Sequence, residues 1–335
     1  MEKFGWCFIG CGSITRRVLR DLPNTQSGSF PAAVYSRNFE RARQFAQISG
    51  ARAYRTAEEA MSDPEVKAVY VATPNSSHKE YTMLALERGL PVLCEKPLAL
   101  TRGEAEEMID MAVKKGVYLS EAMWTGHNPV IQWARSRIDD GRIGLVRSLY
   151  ASFSFYHPFD MESRLYDPAL GGGALLDLGV YTVALTQMVY GFHPAIIDVM
   201  SAAAPTGVDK MCAVNFRYRT GGISRMFFGF TSTEPQDAII GGEKGHIVIP
   251  HFWAPKSAAL VRERPDEPRS TEAYQMDFPG EGYQFEFDAV VDDILRGRKQ
   301  NSTISHKFSL AVMGLLDEIR EEMSTSKGSL DPLML

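Results

Sequence analysis

Pro91-Val92-Leu93-Cys94-Glu95-Lys96-Pro97 is the stretch on which the fold turns. Apolar residues run unbroken from Val92 to Cys94 behind Pro91, the pattern of a strand buried on both faces. The chemistry then changes abruptly to a carboxylate, an amine and a proline. Open parallel sheets bind their ligands outside the carboxyl ends of the strands. Lys96 stands at such an end, where an ammonium group can hold and polarise a hydroxyl or carbonyl of a bound molecule.

On either side the same texture repeats. Segments 6–9, 32–35, 66–72 and 117–120 read as further short apolar strands, and 14–22, 39–48, 77–88 and 103–115 as helices. Strand and helix alternating at this spacing predict an α/β unit with a doubly wound parallel sheet over residues 1–122. After Trp124 the pattern changes. A helix at 130–138 leads to a long alternating strand at 145–155, and Gly171-Gly172-Gly173 precedes a helix at 174–190. Strand-like runs follow with no helix between them, at 196–202, 211–219, 223–230, 238–240, 246–249 and 258–262, and helices resume at 285–296 and 306–322. Residues 123–335 therefore read as an α+β unit with an open, mainly antiparallel sheet. Residues 265–268 read as an exposed loop.

Composition narrows the function classes. The 335 residues suffice for two domains, and 44% hydrophobic with 23% charged residues is the balance of a globular protein. A net charge of −5, with no Lys/Arg-rich run, gives no pull toward nucleic acid or an anionic membrane. No apolar stretch reads as a membrane span, and the chain runs directly into a strand with no secretory leader pattern. Cys7, Cys11, Cys94 and Cys212 form no CxxC pair and no Cys/His cluster with metal spacing. They read as reduced thiols of a cytoplasmic protein, and no metal site is expected.

Gly10-x-Gly12 lies between a strand and a helix. The first glycine permits a tight turn, and the second lets the backbone approach a pyrophosphate at the helix N-terminus, where Ser13 and Ile14 follow. Thr15 occupies the third position of this dinucleotide fingerprint, where Gly or Ala is usual. The acid expected about 20 residues on, which would bind the ribose 2′-hydroxyl of NAD, is missing. In its place stand Ser36 and Arg37, a hydroxyl and a guanidinium suited to a 2′-phosphate, so NADP(H) is preferred over NAD(H). Thr73, Asn75 and His78 follow the next strand and face the nicotinamide half. Glu95 joins them beside Lys96.

Asp177-Leu178-Gly179-Val180-Tyr181 lies on the helix after the glycine run. Positions four apart share a helical face, and Gly179 would leave room between them. Asp177, Tyr181 and Lys96 could then converge from the two units. A nearby lysine would favour the phenolate and lower the Tyr181 pKa, making it a usable acid/base. A buried helical turn with a satisfied tyrosine fits the spacing equally well.

Taken together and in order, Gly10-x-Gly12, Thr73-Pro74-Asn75 with His78, Glu95-Lys96-Pro97, Gly171-Gly172-Gly173-Ala174 and Asp177-x-Gly179-x-Tyr181 resemble the Gfo/Idh/MocA oxidoreductase family. The nearest likeness is to its dihydrodiol dehydrogenase and NADP-dependent D-xylose dehydrogenase-like branch. The resemblance implies a Rossmann domain followed by a substrate-binding domain that forms homodimers or homotetramers through its sheet. It implies hydride transfer between NAD(P) and a hydroxyl-bearing ring carbon. Carried over by position, Lys96 binds the substrate oxygen, Tyr181 takes the acid/base place that many members give to His, and Asp177 binds a neighbouring hydroxyl. Trp124 matches an aromatic beside the nicotinamide, and Trp253 resembles part of an aromatic substrate wall that Phe155 and Phe278 would extend. One departure is Gly126, where the branch commonly has Arg. The expected function is an NADP(H)-dependent oxidoreductase acting on a secondary or anomeric hydroxyl of a sugar or vicinal diol. The alternatives are a sugar–sugar oxidoreductase that retains its NADP, and a non-catalytic NAD(P) sensor on the same scaffold.

Overall fold

A computed structural model describes residues 3–264 and 267–325. The first unit runs β1 (Phe4–Ile9), α1 (Ser13–Asp21), β2 (Ser29–Tyr35), α2 (Phe39–Ser49), β3 (Arg52–Tyr54), α3 (Ala57–Met61), β4 (Ala68–Val71), α4 (His78–Glu87), β5 (Val92–Glu95), α5 (Arg102–Lys115) and β6 (Leu119–Ala122). Its six strands lie in the order β3-β2-β1-β4-β5-β6, every neighbouring pair parallel. β1, β4, β5 and β6 are buried along their whole length, as the uninterrupted apolar runs require. β3 and α3 escape the sequence reading because one is a three-residue edge strand and the other a single turn. α3 nevertheless carries a capping box, with the Thr56 side chain on the Glu59 amide and the Glu59 carboxylate on the Thr56 amide.

The second unit contains α6 (Pro129–Asp139), β7 (Val146–Ser154), α7 (Val180–Tyr190), β8 (Ile196–Ala203), β9 (Asp209–Arg217), β10 (Ile223–Gly229), β11 (Ala238–Gly242), β12 (Gly245–Ile249), β13 (Ser257–Arg264), β14 (Glu267–Gln275), α8 (Tyr283–Leu295) and α9 (His306–Thr325). Its sheet runs β14-β13-β12-β11-β7-β10-β9-β8 and is antiparallel except where β7 meets β10. The loop expected at 265–268 is corrected in part. Pro265 and Asp266 lie outside the described residues, but Glu267 and Pro268 open β14. This is an edge strand, where a proline forfeits no central ladder bond.

The helical stretch Pro168–Tyr190 corrects a second expectation. With 23 residues and an 18-residue window of mean hydropathy 1.4 it is long and apolar enough to cross a membrane, yet 72% of that window is buried inside the fold. It is the core helix on which the second sheet packs. α8 returns to the first unit, where Phe287 sits edge-on to Trp6 and Tyr70 at 4.8 and 5.3 Å between ring centroids. All four cysteines are free, and burial pushes their thiols up, that of Cys11 to about 11.

Candidate active site

A cleft of ≈ 860 Å³ opens over the carboxyl ends of β1, β2, β4 and β5 and is closed by the second unit. At its nucleotide end, Gly10 has φ +110°, and a Cβ there would overlap the carbonyl oxygen of Ala72. Only glycine lets β1 turn this close to β4. Gly12 has ordinary φ, and a Cβ on it would meet nothing within 4 Å. It caps α1 with no side-chain hydrogen bond, and the first turn carries no acid, so the amides at this end are free to meet an anion. The buried Thr15 donates to the Gly12 carbonyl at 2.9 Å, which seats it in the third fingerprint position. These features fit the pyrophosphate of a nicotinamide dinucleotide. Ser36 and Arg37 line the cleft beyond β2, joined by Arg41, which the sequence reading missed. Arg41 lies in the first turn of α2 while Arg37 precedes the Asn38 cap, so no helical spacing links the two.

Ser13, Ile14, Thr73, Asn75, His78 and Glu95 also border the cleft. The Thr73 hydroxyl is buried without a partner. Asn75 instead spans the two units, its amide donating to the Gly171 carbonyl at 3.0 Å. The ring nitrogens of His78 lie 2.9 and 3.1 Å from the carbonyl oxygens of Pro97 and Thr73. Burial lowers its pKa to about 4, so it is a neutral brace between the loops after β4 and β5.

Lys96 follows β5 directly. Its ammonium donates to the backbone carbonyl of Asp177 at 2.7 Å, lies 3.7 Å from the Asp177 carboxylate and sits 4.7 Å from the centroid of the Tyr181 ring. The three residues thus meet, but the local structure differs from a regular α-helix. Leu175–Gly179 is a π-helical turn preceding α7. Gly179 leaves no space for a ligand, because a Cβ there would stand 2.8 Å from the Phe228 ring; it admits β10 instead. The turn is held from outside by Asp209 on β9, whose carboxylate accepts the Leu175 amide at 2.6 Å and occupies the space a Gly173 Cβ would need.

Electrostatics correct a further expectation. The Tyr181 pKa is raised, not lowered: burial dominates, and the Glu95 and Asp177 carboxylates add to it against the Trp124 hydrogen bond and Arg17. Lys96 approaches the ring face rather than the hydroxyl, so it cannot offset that burial. Burial also lowers the Lys96 pKa against the pull of Asp177 and Glu95. Asp177 is opposed by its own burial, yet Lys96 and Arg164 together hold its carboxyl below the usual range. Arg164, on the loop after β7, reaches the Asp177 carboxylate with both terminal nitrogens at 3.2 Å. No pattern in its loop sequence marks it.

The aromatic wall is only partly the expected one. Phe155 and Trp253 line the cleft, with Phe153 stacked on Trp253 at 5.1 Å and edge-on to Tyr181 at 5.4 Å. Phe153 shares a strand face with Phe155, so period two could have identified it. Trp124 does not line the cleft. It lies buried behind Tyr181, donating its indole N–H to the Tyr181 hydroxyl at 3.0 Å and stacking on Tyr283 at 4.1 Å. Phe278 is also absent from the wall, because its ring packs on Phe285 at 5.0 Å and beneath the Lys256 amine at 4.9 Å. Among the described residues, no group of three or more His, Cys, Asp or Glu is placed to hold a metal.

Known proteins resemble this chain in sequence and fold. Residues 4–123 match the model of the oxidoreductase family with an NAD-binding Rossmann fold, and residues 131–248 match the GFO/IDH/MocA C-terminal domain. A trans-1,2-dihydrobenzene-1,2-diol dehydrogenase of Mus musculus is 32% identical over 329 residues, covering 96% of both chains. The Homo sapiens protein of that name is 30% identical, covering 96% of this chain and 97% of its own. A 3-ketoreductase from Actinomadura kijaniata, solved with NADP and TDP-benzene, superposes with TM-score 0.83 at 26% identity, covering 96% and 98%. An aldose-aldose oxidoreductase from Caulobacter crescentus shares the fold, with TM-score 0.86 at 23% identity over 97% and 98%. With both family halves matched in order on a cleft of this geometry, the chain belongs to the GFO/IDH/MocA family of oxidoreductases.

Proposed function

We propose that this enzyme transfers hydride between NADP(H) and a secondary or anomeric hydroxyl carbon of a sugar or vicinal diol. The observation that carries the reading is the meeting of Lys96, Asp177 and Tyr181 at the inner end of a dinucleotide cleft. The bound nicotinamide supplies the hydride acceptor. Lys96 holds the substrate oxygen, and the hydroxyl proton passes to the deprotonated Tyr181 oxygen as the carbon gives up hydride. Charge developing on that oxygen is met by the ammonium group in a site shielded from water. Asp177, fixed by Arg164, receives a neighbouring hydroxyl. Ser36, Arg37 and Arg41 favour a cofactor with a 2′-phosphate, and the TM-score 0.83 neighbour with NADP in its crystal agrees. The dihydrodiol dehydrogenases and the sugar-acting neighbours support a cyclic vicinal diol.

The test is reduction of NADP⁺ against NAD⁺, followed by nicotinamide absorbance, with D-xylose, D-glucose, inositols and a benzene dihydrodiol. Turnover preferring NADP⁺, with the preference lost in Arg37→Gln, is expected. Tight NADPH binding with silence across the panel would overturn the reading. We propose further that the chain self-associates through the open face of its second sheet, where Ile196, Met200, Ile223 and Ile239 are exposed. The free cysteines support a cytoplasmic location, which cell fractionation tests.

A further inference from the structure

α1 presents its first turn to the nucleotide end of the cleft, while Arg17 in its middle, which also lines the cleft, and Asp21 at its end grip the second unit. Residues 17 and 21 lie one turn apart on the same side of this helix. The Arg17 guanidinium donates to the Glu281 carboxylate, 2.8 Å from Nε, and rests 5.6 and 5.8 Å from the ring centroids of Trp253 and Tyr283. Asp21 is buried, and its Oδ2 accepts the amides of Glu281, Gly282 and Tyr283 at 2.9, 2.8 and 3.0 Å. The segment is shaped around that carboxylate: Gly280 and Gly282 have φ of +77° and +114°, and a Cβ on Gly280 would overlap Asp21. Tyr283, the last residue gripped, stacks on Trp124 with planes 21° apart, and Trp124 donates to the Tyr181 hydroxyl.

We propose that Arg17 and Asp21 are positioning residues for the proton transfer: through residues 280–283 they fix the Tyr283–Trp124 pair that holds the Tyr181 hydroxyl. The helix that receives the cofactor thereby also aims the acid/base group. The inference rests on the oxidoreductase reading above. An aim error of about 1 Å in a reacting group costs on the order of a hundredfold in rate, so a latch two residues removed from Tyr181 has a measurable effect. Its charge matters as well. The groups facing Tyr181 are Lys96 and Glu95 at the end of β5, Asp177 from its own turn and Arg17 from α1, with Trp124 and Tyr283 neutral. Arg17 favours the phenolate, and Glu281 offsets Arg17.

The full-length chain is compared with Arg17→Met, Arg17→Lys, Asp21→Asn, Glu281→Gln and Asp288→Asn. Asp288 accepts the Gln26 and Ser27 amides at 2.9 and 2.8 Å, so it holds the same seam without touching the path to Tyr181. Asp21→Asn, outside the cleft lining, is expected to lower kcat about tenfold or more while NADPH affinity by fluorescence stays within about threefold. Arg17→Met lowers kcat in the same direction, with Arg17→Lys recovering part of the loss. Amides 281–283 exchange with deuterium faster in Arg17→Met and at the wild-type rate in Asp288→Asn. The rising limb of the pH profile for alcohol oxidation moves up in Arg17→Met and down in Glu281→Gln. Asp288→Asn loses stability and keeps its kcat. If Arg17→Met behaves like Asp288→Asn, with kcat and exchange at 281–283 unchanged, the inference falls and the oxidoreductase reading stands. A wild-type chain inactive on every substrate overturns both.

Discussion

Two glycines two residues apart do different work, and one substitution separates them. Gly10→Ala forces a side chain into the Ala72 carbonyl at positive φ and is expected to cost roughly 2–4 kcal/mol of folding stability. Gly12→Ala meets no protein atom, so thermal unfolding should be unchanged within about 0.5 kcal/mol. The added methyl instead occupies the approach to the α1 amides, and a fluorescence titration should show NADPH binding weakened by about tenfold or more. On the proposed reading Lys96→Ala removes the charge that would meet the developing alkoxide, and it is expected to lower kcat/KM by about two to four decades with the fold intact, read by steady-state rates beside circular dichroism. At this scale much was legible in the sequence. Gly10, Gly12 and Lys96 declare themselves because a backbone turn and a strand end each dictate a residue type. Arg164 and Arg17 do not, because long flexible side chains reach their partners by a tertiary path that no local spacing encodes. The family resemblance puts Trp124 beside the nicotinamide and residue type puts Phe278 in the wall, but which way a ring faces depends on packing partners such as Tyr283 and Phe285.

Two buried ionisable groups that brace neighbouring elements respond to acid with opposite signs. Asp209 caps the π-helical turn from β9, and burial raises its carboxyl from 3.8 to about 6. Its folded pKa lies above the unfolded one. Its contribution to stability is therefore fully present below pH 3.8 and is lost as the pH rises to about 6. His78 braces the loops after β4 and β5, and burial lowers its pKa from 6.5 to about 4. Its contribution is present above 6.5 and is lost as the pH falls to about 4. Each shift spans roughly 3 kcal/mol at 1.36 kcal/mol per unit. Urea unfolding across this range should show that Asp209→Asn removes the first dependence and His78→Gln the second, so the two variants diverge from wild type in opposite senses. The elements themselves were readable wherever the apolar period was long. The π turn was not, since its extra residue is dictated by Asp209 and Phe228, more than 30 and 45 positions away in sequence.

For the whole molecule, the alternation of the first 122 residues was enough to predict a parallel sheet, and the uninterrupted strands after α7 an antiparallel one. The single parallel pair, β7 with β10, was hidden because the intervening helix and two strands separate its partners. Self-association is checked by sedimentation: Met200→Glu, on a residue 68% exposed, is expected to shift an oligomer toward monomer while leaving the folded protomer intact. Failure of that shift, or a monomeric wild type, would remove the sheet face as the contact.

The return of α8 to the first sheet has a wider consequence. Phe287 covers Trp6 and Tyr70, and Asp288 ties down the turn between α1 and β2. The nucleotide-binding half therefore does not close its own core. A fragment ending at Ala122 is expected to expose that aromatic face and aggregate, whereas the same fragment co-expressed with residues 123–335 should recover solubility, as size-exclusion profiles would show. In the making of chimaeras, as in recombination between relatives, the portable cassette is not the first 122 residues. It is those residues together with the distant helix that roofs them, and a graft that respects only the apparent boundary would move half a module.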